Sequence, residues 1–310
     1  MKILVTCPPM LGMIEEFLPI FERFDLEVTA PKILQTMSVQ ELKVIVPQHD
    51  GWIIGDDPAN SEVFRAGKLG ALKAAVKWGI GIDNVDFSAC NDLEIAIANT
   101  PDMFGGEVAD IAVGYVIALA RETFQIDDDI RMGKWPKPAG MSLAKKTVAL
   151  IGYGDIGKNV AKRLHAADMN IIAYDPVAPD VASLSEVQRG QWPNRIEEAD
   201  FIVITCALTE TSRHMVNSDT LNRAKDGVRV VNVARGPIID EVALEKALRS
   251  GKVYSAALDV YEIEPLPLDS YLRSNSRCIF GSHNASNTKD AVVRTSEIAI
   301  EKLAGFLGVR

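Results

Sequence analysis

The sequence predicts an α/β protein made of two doubly wound parallel-sheet domains, one inserted into the other. Three observations carry this expectation. Short apolar, β-rich runs alternate with helical patterns along most of the 310 residues. A strand, a glycine loop, a helix and a second strand follow one another across residues 146–175. A last helical stretch comes after the final strand, when the second domain already has its full set of elements.

Taken in order, the runs 3–5, 52–54, 72–76 and 95–97 read as strands, with helical patterns such as 14–24 and 39–44 between them. A proline follows the fourth strand at Asn99-Thr100-Pro101, and Val108, Ile111, Ala112, Tyr115, Val116 and Leu119 then recur at helical spacing. The domain crossing is expected there. Further strands are expected at 148–151, 171–173, 201–205, 228–233, 255–258 and 278–280. Asp240 is placed to cap a helix over 241–250, and Gly251 to end it. The stretch 178–194 has no regular pattern. The helix at 289–307 is expected to pack back on the first domain, so the expected domains are 1–98 with 285–310, and 99–284.

The segment KTVALIGYGDIGKNVAKRLHAADMNIIAYD, residues 146–175, has the parts of a dinucleotide-binding unit in the required order. Gly152 makes the tight turn, Gly154 lets backbone approach a pyrophosphate, and Gly157 lets helix pack on strand, so no side chain is expected to fit at these positions. Asp155 and Ile156 open the helix, whose first N–H groups and dipole face the phosphates. Asp175, at the end of the second strand, can accept both adenosine ribose hydroxyls and would repel a 2′-phosphate. The second domain is therefore expected to be a Rossmann unit that takes NAD rather than NADP.

Bulk composition narrows the function. With 47% hydrophobic and 24% charged residues the chain has material for two cores. A net charge of −9 argues against non-specific binding to nucleic acid or to an anionic membrane surface. Cys7, Cys90, Cys206 and Cys278 lack metal-ligand spacing and read as buried thiols in a reducing cytoplasm, with no metal expected. The N-terminal apolar run breaks at Pro8-Pro9, too early for a secretion signal, and the longest apolar helical stretch, 109–120, falls short of the roughly 20 residues of a membrane span.

Three motifs directly after strands could carry chemistry. His283 stands in Gly-Ser-His-Asn-Ala-Ser, Arg235 in Asn-Val-Ala-Arg-Gly, and Glu264 in the run from Leu258 to Pro265. The carboxyl ends of strands are where ligands sit in open α/β sheets, and a guanidinium there can hold a carboxylate bidentately. Each residue alone also fits an ordinary surface position, as do His49, His165 and His214.

Jointly, Arg235, Glu264 and His283 resemble the catalytic set of the D-isomer-specific 2-hydroxyacid dehydrogenases, in order and interval. The resemblance covers nearly the whole chain, including the segment from Lys77 to Asp86 (KWGIGIDNVD), the Asn99-Thr100-Pro101 crossing, Glu107-Val108-Ala109-Asp110 and the segment from Asn232 to Leu244. Phosphoglycerate-dehydrogenase-like members are the most similar. The resemblance implies a flavodoxin-like substrate domain and hydride transfer between a D-2-hydroxy acid and NAD. Arg235, with the Gly79-Ile80-Gly81 backbone, would hold the substrate carboxylate, His283 would act as acid and base, and Glu264 would orient it. Cys206, Ala207, Val233, Ala234 and Asp259 would line the cofactor, Asp259 near the nicotinamide.

By the same resemblance, the apolar helix 108–119 is a subunit contact of a homodimer. Asp56 and Asp57 stand where phosphoglycerate enzymes place arginine and small polar residues, so repulsion of a substrate phosphate is expected. Trp78 and Phe104 also depart from the pattern and could reshape the pocket. Glu264, in place of the glutamine of formate dehydrogenases, argues against that activity. The alternative to an enzyme is a non-catalytic NAD(H)-sensing scaffold of the same superfamily.

Overall fold

Ile3, Leu4, Ile53, Ile54 and Val76 have no exposed surface, because the strands carrying them are covered on both faces. The computed structural model describes residues 1–177 and 187–309. The chain divides into two units, Met1–Met103 with Asn287–Arg310, and Phe104–Ser286.

The first unit holds strands β1 (Lys2–Val5), β2 (Glu27–Thr29), β3 (Gly51–Ile54), β4 (Ala74–Lys77) and β5 (Ala96–Asn99), all paired in parallel in the order β2-β1-β3-β4-β5. That is the flavodoxin-like order. Between them run α1 (Pro8–Leu11), α2 (Ile14–Arg23), α3 (Val39–Ile45), α4 (Ser61–Leu69) and α5 (Phe87–Asp92). Local chemistry sets their starts: Ser38 and Glu41 form a capping box on α3, and Asn60 and Asp86 cap α4 and α5. The C-terminal helix Lys289–Leu307 starts at Thr288, whose hydroxyl accepts the Ala291 N–H, and packs against β3 and β4. Trp78 is buried and donates its indole N–H to Ser296 on that helix at 3.1 Å, so its bulk serves the core. His49 is also a core residue, with ring nitrogens on Ile45 O and Thr29 Oγ1.

In the second unit the strands are β6 (Thr147–Ile151), β7 (Asn170–Tyr174), β8 (Val187–Gly190), β9 (Phe201–Ile204), β10 (Val228–Asn232), β11 (Val253–Leu258) and β12 (Cys278–Phe280). They pair in parallel in the order β12-β11-β10-β9-β6-β7-β8. The strand order reverses at β6, between β7 and β9, which makes the loop after β6 the switch point where a doubly wound sheet binds ligand. The helices are α6 (Gly105–Arg121), α7 (Thr123–Arg131), α8 (Asp155–His165), α9 (Ser218–Arg223) and α10 (Glu241–Ser250). Asp240 accepts the Ala243 N–H at the start of α10, and Gly251 ends it at φ +79°. Phe104 is buried at the N-cap of α6, so it too is a core residue. Of the stretch without a sequence pattern, 178–186 lies outside the described residues, whereas Val187–Gly190 is strand β8. Among the described residues no helix is long and apolar enough to cross a membrane, and no cluster of residues could hold a metal ion.

Candidate active site

The glycine loop follows β6, and the structure separates the tasks of its three glycines. Gly152 has φ +95°, and a Cβ there would lie 2.6 Å from the Cys206 N. Gly157 is closed from the other side, since its Cβ would lie 2.2 Å from the Gly152 O. Gly154 differs. A Cβ at that position would meet nothing within 4 Å, so the expectation that no side chain fits there is corrected: the protein leaves that space open. An open position at the mouth of α8, where N–H groups point outward, fits a pyrophosphate.

Asp155 opens α8 and turns its carboxylate toward Gly105, whose Cβ would lie 2.2 Å from it. Ile156 is half-buried behind it. Asp175 directly follows β7 and accepts the Tyr153 N–H at 2.7 Å and the Val177 N–H at 2.9 Å. It thereby braces the loop it faces. Cys206 and Ala207 follow β9; burial pushes the Cys206 thiol up to about 11, so it stays neutral.

The turn after β10 is set by Asn232, which has no exposed surface. Its side chain accepts the Ala234 N–H at 3.0 Å and donates to the Arg235 O at 2.9 Å, while Val233 N–H reaches the Ile204 O. Arg235 emerges half-buried and donates to the Ala234 O at 2.8 Å. Gly236 allows the turn to touch the next loop: a Cβ there would lie 1.9 Å from the Tyr261 carbonyl group. The Arg235 turn and the loop carrying Glu264 are thus in backbone contact.

Glu264 and His283 meet. His283 Nδ1 lies 2.7 Å from Glu264 Oε2, and Glu264 Oε1 accepts the Tyr261 N–H at 3.0 Å. Both side chains are 21% exposed, open enough for a ligand yet partly shielded from water. Tyr261 binds the Gly281 O at 2.7 Å and the Leu258 O at 2.9 Å, tying the Glu264 loop to the His283 loop. Asp259 is buried, and that burial raises its carboxyl above the ordinary range. Its two oxygens accept the N–H groups of Asn284 and Ala285.

Every candidate of the second unit therefore lies at the carboxyl edge of one sheet. Sequence reasoning passed over Tyr261, the clamping role of Asn232, and His214, whose Nε2 lies 2.7 Å from Glu262 Oε1. An asparagine closing an otherwise apolar strand end was the one signal available.

In the first unit, Gly79 has φ +111° and its N–H is taken by Thr100 Oγ1 at 2.7 Å, so that N–H is not available to a substrate. For the Ile80 and Gly81 N–H groups no partner is found among the described residues. Asp57 and Asp56 do not form the pair of open carboxylates expected from sequence. Asp57 is fully buried, accepting the Thr6 hydroxyl and the Met37 N–H, and burial raises its carboxyl. Asp56 lies 3.2 Å from the Lys77 ammonium, which is buried. Repulsion of a substrate phosphate thus loses its basis in Asp57, and at Asp56 it is opposed by a cation.

Comparison with known proteins agrees with this geometry. Residues 113–285 match the model of the NAD binding domain of D-isomer specific 2-hydroxyacid dehydrogenases. The chain is 37% identical over 291 residues to the hydroxypyruvate reductase of Thermotoga maritima, covering 92% of each protein. It is 33% identical over 310 residues to the D-3-phosphoglycerate dehydrogenase of Archaeoglobus fulgidus, covering 99% of this chain but only 57% of that longer protein. The crystal structure of the TT0316 protein from Thermus thermophilus superposes with a TM-score of 0.86 at 28% identity, over 99% of this chain and 97% of that one. With a glycine loop that leaves room for a pyrophosphate and a histidine held by a carboxylate, the chain belongs to the D-isomer specific 2-hydroxyacid dehydrogenases, the NAD-dependent oxidoreductases of hydroxy acids.

Proposed function

We propose that Arg235, Glu264 and His283 are the catalytic set of this dehydrogenase, with a small 2-keto acid as substrate in one direction and the D-2-hydroxy acid in the other. The observation that carries the reading is the 2.7 Å contact between His283 Nδ1 and Glu264 Oε2, on loops in contact with the Arg235 turn. NAD, when bound, accepts or supplies the hydride. The residues do the rest. Arg235 holds the substrate carboxylate, so that C2 is presented in one orientation, and the Ile80 and Gly81 N–H groups are assigned to the substrate as well. His283 takes the hydroxyl proton during oxidation and returns it during reduction. Glu264 fixes the ring and favours the imidazolium that forms.

In the cofactor half, Gly152, Gly154, Asp155, Ile156 and Gly157 cradle the pyrophosphate, Asp175 binds the adenosine ribose, and Cys206, Ala207, Val233 and Ala234 line the NAD. The first unit, Met1–Met103 with Asn287–Arg310, serves as the substrate domain and the second, Phe104–Ser286, as the cofactor domain, with both crossings a few residues later than the sequence suggests. Substrates of the hydroxypyruvate and glyoxylate type are the first to test, since relatives bear those names. We further infer a cytoplasmic homodimer. Ile111, Ile117 and Phe124 stand exposed on α6 and α7, an apolar surface suited to a second copy.

The test is a panel of 2-keto acids, including phosphorylated ones, incubated with NADH while its absorbance is followed. Turnover of at least one member is expected. NADH binding without turnover across the panel would favour the non-catalytic scaffold, and light scattering reads the oligomer.

A further inference from the structure

His283 stands in the left-handed backbone region at φ +56°, a conformation uncommon for a non-glycine residue, and hydrogen bonds to its turn hold it there. One residue, Asp259, takes up the backbone N–H groups of this turn. The Asp259 O accepts the His283 N–H at 2.7 Å, Asp259 Oδ1 accepts the Asn284 N–H at 3.1 Å, and Asp259 Oδ2 accepts the Ala285 N–H at 2.9 Å. Three successive N–H groups thus end on a single aspartate. The aspartate is itself fixed, its own N–H donating to the Asn232 O at 2.9 Å. It is 2% exposed, so water does not compete for those bonds. Gly281 is part of the same fit: a Cβ there would lie 2.0 Å from Asp259 Oδ1 and 2.7 Å from the Tyr115 hydroxyl.

We infer that Asp259 is the positioning residue of the acid–base histidine, holding the 283–285 backbone in the conformation that brings the His283 ring to Glu264. This rests on His283 being the acid and base. It differs from a role for Asp259 as a contact of the nicotinamide, because a clamp on the loop acts on turnover and leaves the affinity for NADH in place. An asparagine at position 259 offers one acceptor oxygen and an NH2 group that can only donate, so it satisfies at most one of the two side-chain bonds.

Two variants test the inference: Asp259→Asn, which removes an acceptor, and Gly281→Ala, which keeps the charge but pushes on it. Hydrogen exchange of the 283–285 amides, the Kd for NADH and kcat with a turned-over keto acid are measured on each. Both variants are expected to exchange these amides at least tenfold faster and to lose about 10²-fold in kcat, with the Kd for NADH changed less than threefold. Unchanged exchange in Asp259→Asn would overturn the inference. So would a Kd for NADH that weakens by the same factor as kcat, since that pattern marks a cofactor contact. The underlying reading fails separately: His283→Ala at full turnover would remove the histidine from the chemistry while the exchange data still report on the clamp.

Discussion

Glu264 Oε2 and His283 Nδ1 lie 2.7 Å apart, and the other oxygen of Glu264 is held by the Tyr261 N–H. The carboxylate is therefore oriented before the ring meets it, and the ring receives its hydrogen-bond partner from a loop distinct from its own. In the proposed chemistry a carboxylate so placed offsets the charge of the imidazolium that forms when His283 takes the proton. The two directions of the reaction need opposite protonation states.

From this, Glu264→Gln is expected to slow keto-acid reduction more than hydroxy-acid oxidation. Glutamine keeps an oxygen acceptor but withdraws the charge that supports the imidazolium. Hydrogen bonds to charged groups contribute about 1.5–3 kcal/mol, which corresponds to a loss of about tenfold or more in the reductive rate at neutral pH. Initial rates in both directions check it; equal losses would contradict it.

Asp175→Ala is expected to weaken NAD binding by about tenfold or more and to relax discrimination against NADP. The carboxylate braces the Tyr153 N–H and is the proposed partner of the ribose, so its loss should act on the ligand and on the loop. Kd values for the two cofactors measure the ratio, and an unchanged preference would refute the ribose assignment.

Two glycine variants should separate stability from binding. At Gly157 a new Cβ would lie 2.2 Å from the Gly152 O, and the required backbone shift should destabilise the protein by about 1–3 kcal/mol. At Gly154 a Cβ meets no protein atom within 4 Å, so Gly154→Ala should melt within a degree or two of wild type yet bind NADH about tenfold more weakly. Thermal melts and NADH titrations of both variants form the test.

Asp57 gives a pH dependence with a definite sign. Burial raises its folded-state carboxyl above the unfolded value, so the folded protein binds its proton more tightly. Stability from this group is full below the unfolded value of about 3.9 and is lost as pH rises through the raised folded value. Measured as wild type minus Asp57→Asn, the Tm difference is expected to turn against wild type as pH rises from the ordinary carboxylate range toward neutrality. A flat difference would contradict it.

The residues also show why some of the molecule is legible in sequence and some is not. Strands such as Phe201–Ile204 and Gly51–Ile54 are buried along their full length, so they read as unbroken apolar runs. Glu27–Thr29 and Val187–Gly190 lie at sheet edges, where half the surface faces water, and their short polar sequences gave no such run. The glycine loop was readable because the positive φ of Gly152 and the approach of Gly157 to the Gly152 O lie within one segment. The clamps made by Asn232, Asp259 and Tyr261 depend on which loops the sheet order brings side by side, and no spacing within one segment encodes that. Asp57 was misjudged for the same reason: its partners, Thr6 and Met37, come from distant segments.

The central claim is that Glu264 and His283 act as one unit, and a double-mutant cycle on kcat tests it most directly. His283→Ala alone should lower kcat by about 10² to 10⁴. Adding Glu264→Gln to that variant should lower it no further, because the carboxylate acts through the ring it holds. Two losses that multiply would show that the residues act independently and would contradict the account.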